Sequence, residues 1–283
     1  MADQYGYRAV MINQANPGYP AGAVAIINFL KDKYRKEIDA AADRWKVPPP
    51  ILYSFFGVES GRGGNDLDSF DKRTVGGVTV PNTYALCQTN SIGINGAIKS
   101  CLAGDCTLGQ IYPVYDAFPI AFKIVKNLPP KADFWKDEYK TKRNEKASDY
   151  FELSDAARAF EKAKGNIKSY WDAGAKKLKS DPGFSTNIGA ILLSKYLLED
   201  LSKVKEEEID GKKVKMARLD WVITKYNAGP NAFKNMEEKK NDKVQADTTV
   251  FITIVPSYTK SYIIKLVGKD GLLDVQKRGL VKV

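Results

Sequence analysis

"VPPPILYSFFGVESGRGGN", residues 47–65, decides how the chain is read. Three prolines interrupt whatever precedes them, because proline has no N–H to give and clashes with a helix interior, and they suit the opening of a new helix near Pro50. From there Ile51, Phe55 and Glu59 recur every four residues with Leu52 and Phe56 beside them, so the acid closes an apolar stripe and points inward. Glycines follow at once. An acid that ends a helix before glycines is most often solvated. The alternative is a carboxyl group in an apolar pocket, where desolvation raises its pKa and suits it to general acid work.

Working outward, residues 22–46 predict a helix that becomes strongly amphipathic after the apolar stretch "AGAVAIINFL" at 21–30. That stretch is too short to span a membrane and lacks a credible cleavage site, so no signal peptide is visible. Residues 91–149 predict short helices joined by loops, and 151–179 one long helix carrying Leu153, Ala156, Phe160, Ala163, Ile167, Tyr170, Trp171 and Leu178 until "SDPG" stops it. Residues 186–204 predict a core helix, and "EEEIDGKKVK" (206–215) a solvated turn or small hairpin around Asp210-Gly211. "MARLDWVITKYNAGP" (216–230) predicts a further helix with Leu219, Val222, Ile223 and Tyr226 on one stripe, ended by Gly229 and Pro230. The expected architecture is mainly α, with at most a small β-hairpin.

Composition removes several chemistries. The 283 residues include no histidine, and three cysteines in no zinc-site pattern, so a reaction here falls to carboxylates, Tyr, Lys or Ser. No metal or other cofactor is implied. A net charge of +10 suits polyanions such as nucleic acid, acidic lipids or the bacterial envelope, and does not choose among them. Cys101 and Cys106 are close enough in sequence to close a small loop, though only in an oxidising setting.

The segments "VPPPILYSFFGVESGRGGN", "YALCQTN" (84–90), "SDPGFSTNIGAILLSKYLLEDL" (180–201), "ITKYNAGPNAF" (223–233) and "VPSYTKSYIIKLV" (255–267) resemble, in order and character, the motifs of lytic transglycosylases of the goose-type lysozyme-like fold. The likeness covers roughly 34–90 and 180–268. It implies a catalytic domain from 34–90 and 179–268, an N-terminal extension at 1–33, a long helical insertion at 91–178 and a tail at 269–283. By position, Glu59 matches the family's catalytic acid and Ser60 the residue after it; Gln88 matches the glutamine that lines the sugar cleft. Tyr226 and Asn227 match the Tyr-Asn pair facing the acid, and Tyr262 the tyrosine of the final motif. Ala85, Leu86 and Cys87 stand where Gly, Leu and Met are usual; "SIGIN" (91–95) offers a competing alignment with Asn95 at the glutamine position; Tyr258 stands where many members have Glu.

The resemblance implies cleavage of the β-1,4 bond after N-acetylmuramic acid. Glu59 would protonate the leaving oxygen, the sugar's own N-acetyl oxygen would attack C1, and Glu59 would then take the O6 proton as a 1,6-anhydro ring closes. Gln88 and Asn227 would orient the sugar by amide hydrogen bonds, and Tyr226 would stack on it. The implied partner is the peptidoglycan glycan strand, with no nucleic acid and no membrane span, and with room for other virion or secretion-machine proteins. The missing signal peptide favours a phage particle acting in the periplasm, or a domain of a larger exported protein. Two other readings stay open: a water-using muramidase with Asp66, Asp68 or Asp71 as base, and a non-catalytic glycan-binding component of a virion or secretion machine. Each residue also has a plainer reading, with Tyr226 and Tyr262 in the core, Gln88 a loop amide, Asn227 a turn amide and Ser60 a local hydroxyl cap.

Overall fold

The computed structural model describes residues 5–8, 19–60, 70–75, 78–203, 206–209, 211–229, 231, 255 and 257–283. These are mainly helical. In chain order the helices are α1 (Tyr19–Trp45), α2 (Pro49–Ser60), α3 (Ser91–Ala103), α4 (Leu108–Ala117), α5 (Lys140–Arg143), α6 (Asp155–Lys162), α7 (Lys168–Ser180), α8 (Pro182–Lys203), α9 (Leu219–Ala228), α10 (Ser257–Val267) and α11 (Leu272–Lys277). No helix among the described residues is long and apolar enough to cross a membrane. The chain divides into two compact units: 1–35, 46–62 and 192–283 form the first, 36–45 and 63–191 the second.

In the first unit, α2 starts at the prolines and buries Ile51, Leu52, Tyr53, Phe55 and Phe56. A Cβ on Gly57 would come within 3.0 Å of Ile26 and 3.1 Å of Leu272, so the bare glycine is what lets side chains of α1 and α11 close on α2. Gln276 of α11 donates to the hydroxyl of Ser54 (2.8 Å), tying the same helices by a polar contact. Strands β6 (Glu206–Ile209) and β7 (Lys212–Arg218) pair antiparallel, with Gly211 in the left-handed region at φ 73°, which is the expected hairpin. Strand β1 (Tyr5–Arg8) adds to β7 in parallel. The passage from β7 into α9 is fastened by charge. Buried Asp200 accepts the Arg218 backbone N–H (2.6 Å), while the Arg218 side chain donates to both oxygens of buried Asp220 (3.1 and 2.8 Å). Desolvation pushes the Asp200 carboxyl above its ordinary pKa, against the opposing pull of that N–H.

The second unit holds an aromatic core that includes Phe118, Phe134, Tyr150, Phe151, Phe160, Tyr170 and Phe184. Asn90 caps α3 by accepting from Ile92 and Gly93, and Thr107 forms a reciprocal capping box with Gln110 at α4. Between those helices a Cys101–Cys106 disulfide joins Cα atoms 5.2 Å apart, whereas Cys87 is buried and outside any disulfide. Asn187, from the Asn-Ile pair of α8, accepts from Trp45 (2.8 Å) and Arg44 (2.9 Å) and so clamps the end of α1. Residues 91–178, expected as an insertion, lie wholly in this unit.

Three expectations change. The long helix over 151–179 is a short strand β5 (Phe151–Leu153) followed by α6 and α7, because Lys164 (φ 52°) and Gly165 (φ 83°) turn the chain between them. Ser154, which accepts from the Ala157 N–H, marks the true start of α6. Residues 216–218 belong to β7, so the helix expected from Met216 starts at Leu219. The allowance of one small hairpin is exceeded: β2 (Phe70–Val75) pairs with β3 (Val78–Tyr84), and β4 (Phe122–Ile124) with β5, beside the β1-β7-β6 sheet. Threonines and valines in 74–83 favour the extended backbone that the surrounding glycines and charges disguise in the sequence.

Candidate active site

Glu59 sits one residue from the end of α2, half-buried, after a run of residues sealed from solvent. The hydroxyl of Tyr262, from α10, donates to Glu59 Oε1 at 2.8 Å. These residues are 203 apart in sequence, so only the fold joins them. Tyr262 is buried; burial first, then the adjacent Glu59 carboxylate and Tyr226, push its pKa well above the ordinary tyrosine value. It therefore stays a hydroxyl donor through the neutral range. A phenol donating to a carboxylate makes a charge-assisted hydrogen bond, and this one holds the Glu59 side chain in one orientation.

Phe55, one turn before Glu59 on α2, supports both tyrosines. Its ring meets that of Tyr226 edge-on at 5.3 Å between centroids and that of Tyr262 at 6.0 Å with the planes tilted by 54°. Tyr226 is half-buried near the end of α9, where Gly229 leaves the helix at φ 90°. Asn227, next on α9 and also half-buried, accepts at Oδ1 from the hydroxyl of Thr259 (2.8 Å), a fully buried residue of α10. Glu59 near the end of α2 thus meets Tyr262 in the middle of α10, while Tyr226 and Asn227 near the end of α9 reach the same two helices through Phe55 and Thr259, all in the first unit. Thr259 was not singled out from the sequence. Its position one turn before Tyr262 was the available signal, since residues three apart share a helix face. Tyr258, at the position where the resemblance would place Glu, is exposed (59%), off that face.

The other candidates serve their own segments. Ser60 is buried and donates to the Phe56 carbonyl one turn back (2.7 Å), an ordinary helix-end hydroxyl contact. Gln88 lies in the second unit, in a turn after β3 at φ 40°. Its amide donates to the Ala85 carbonyl (2.8 Å) and accepts from the Thr83 hydroxyl (3.0 Å), so both ends brace that turn. Asn95, the rival for the same role, is buried in α3, accepting from the Tyr170 hydroxyl (2.9 Å) and donating to Ala157 (3.5 Å) as a core amide. Asp66 and Asp68 lie outside the described residues; Asp71 is in β2, and its side chain is outside them too. Among the described residues, no cluster of carboxylates and cysteines could hold a metal ion.

In chemical terms the site offers one carboxyl group able to give and retake a proton, a hydroxyl that holds it, an aromatic face and an oriented amide. Comparison with protein-family models, with curated proteins and with solved structures gives no match to this chain.

Proposed function

We propose that the chain is a peptidoglycan lytic transglycosylase, cleaving the bond between N-acetylmuramic acid and N-acetylglucosamine with formation of a 1,6-anhydro end. The observation that carries this reading is the hydrogen bond from Tyr262 to Glu59, with Tyr226 packed on the same Phe55 ring. Residues singled out from three separate motifs thus share one cluster, Tyr262 bonded to the Glu59 carboxyl group and both tyrosines packed on Phe55, which chance resemblance does not require.

In this reading Glu59 protonates the leaving oxygen and the substrate's N-acetyl oxygen attacks C1, so no second carboxylate is needed. The Glu59 carboxylate then removes the O6 proton as O6 closes on C1 and displaces the N-acetyl oxygen, which returns to the acetamido carbonyl. Tyr262 donates throughout to the oxygen it holds, leaving the other carboxyl oxygen for proton transfer, and Tyr226 offers its ring to the sugar. The Cys101–Cys106 disulfide and the charge of +10 support work in the bacterial envelope, with phosphate and carboxylate polymers as the surrounding polyanion and delivery by a phage particle or by export.

The test is the mass of soluble muropeptides released from purified sacculi. Anhydro ends are expected. Products heavier by one water, with reducing ends, would convert the reading into a hydrolase, and no release from intact sacculi would remove the enzymatic reading.

A further inference from the structure

Residues Thr259 and Tyr262 stand three apart on α10, both buried, so one face of that helix sends two hydroxyl groups to two different partners. Tyr262 holds the acid. Thr259 donates to Asn227 Oδ1 at 2.8 Å, and once the carbonyl end of a planar amide is taken, its N–H end is directed the other way. Asn227 is half-buried and follows Tyr226 on α9, the helix whose tyrosine packs on Phe55. Resting on the glycan-cleaving reading of this site, we propose that Thr259 is a positioning residue whose hydroxyl fixes the amide of Asn227 so that its N–H group, rather than its carbonyl, is offered to an oxygen of the sugar.

A loose side-chain amide would present donor and acceptor interchangeably, and a sugar's N-acetyl carbonyl accepts hydrogen bonds but cannot donate from that oxygen. Fixing Asn227 therefore selects for an acceptor on the substrate. Valine at 259 keeps the branched shape and removes the hydroxyl, leaving the amide unheld; serine keeps the hydroxyl.

Two measurements test this on the full chain. In protein labelled with nitrogen-15 asparagine, Thr259→Val should shift or broaden the Asn227 side-chain amide signals while Thr259→Ser leaves them near the wild-type positions. In muropeptide release, Thr259→Val should lower kcat/KM about tenfold and Thr259→Ser less than about threefold, the size expected for one neutral hydrogen bond. The double variant Asn227→Ala with Thr259→Val should be no slower than Asn227→Ala alone, because the hydroxyl acts only through that amide. If Thr259→Val does not fold, Thr259→Ala takes its place in both measurements. Unchanged amide signals in the valine variant, or losses that add in the double variant, overturn the proposal while the enzymatic reading stands. A wild-type chain that releases nothing sinks the enzymatic reading instead, with the amide signals still reporting whether Thr259 holds Asn227.

Discussion

Glu59 and Gln88 both come from segments that carry the family resemblance, the second a partial match, yet the structure treats them in opposite ways. Glu59 takes its hydrogen bond from Tyr262, 203 positions away, whose ring packs on Phe55 one turn before the acid. Gln88 bonds to Thr83 and Ala85, both within five residues of itself. The local bonds explain Gln88 without any ligand, since a turn at φ 40° needs bracing. The long-range bond at Glu59 has no such local purpose: a half-buried acid at a helix end could be solvated at no cost, and instead a buried tyrosine is aimed at it.

The largest expected effect tests the Glu59 side of this contrast. Glu59→Gln keeps the shape and the contact with Tyr262 but cannot exchange a proton, so muropeptide release should fall by about a hundredfold to ten-thousandfold while far-UV circular dichroism is unchanged. A variant retaining more than half the wild-type rate ends the case for Glu59 as acid. Next comes Tyr262→Phe, which preserves the packing on Phe55 and removes only the hydroxyl; the rate should drop about tenfold, with a modest loss of thermal stability. An unaffected rate would reduce Tyr262 to core packing.

Titration sharpens the same point. Because the Tyr262 pKa is raised in the folded chain, the folded state holds the phenol proton more tightly than the unfolded state does. Its stabilising contribution is therefore complete below pH about 10 and is lost as the pH climbs through the folded value. The difference in unfolding free energy between wild type and Tyr262→Phe should stay flat from pH 7 to about 9 and shrink above about 10. A difference that already declines near neutrality contradicts a buried donor.

On the other side, Gln88→Ala should cost about 1–2 kcal/mol of stability for two lost hydrogen bonds and change the rate less than about threefold. A rate loss matching that of Tyr262→Phe would return Gln88 to the sugar cleft. Smallest of all should be Asp66→Asn, Asp68→Asn and Asp71→Asn, each within about threefold in rate, since a substrate-assisted reaction asks nothing of a second carboxylate. An essential aspartate among them, with reducing-end products, would make water the nucleophile and place that carboxylate roughly 6.5–9.5 Å from Glu59.

Much of the helical skeleton was legible because it is punctuated. The prolines before α2, Gly211 between β6 and β7 and Gly229 after α9 each mark a backbone state that few other residues allow. The break between α6 and α7 was not, since the apolar period runs on across it from Phe160 to Tyr170 and Leu178, all buried, so periodicity alone reads one helix where the chain turns at Gly165. The strand pairs were hidden for a related reason, because pairing depends on a partner segment that the local composition does not name.

By itself the sequence determined which side chains were available for chemistry: no imidazole, one acid at the end of an apolar helix, and a Tyr-Asn pair before a glycine. Those facts follow from residue type and spacing along one element. The tertiary structure alone decided that Tyr262 reaches Glu59, that Thr259 rather than Tyr258 faces inward on α10, and that Gln88 bonds to Thr83 and Ala85. The reason is that a hydrogen bond across 203 residues depends on how α2, α9 and α10 pack, and packing is set by the whole buried surface rather than by any motif.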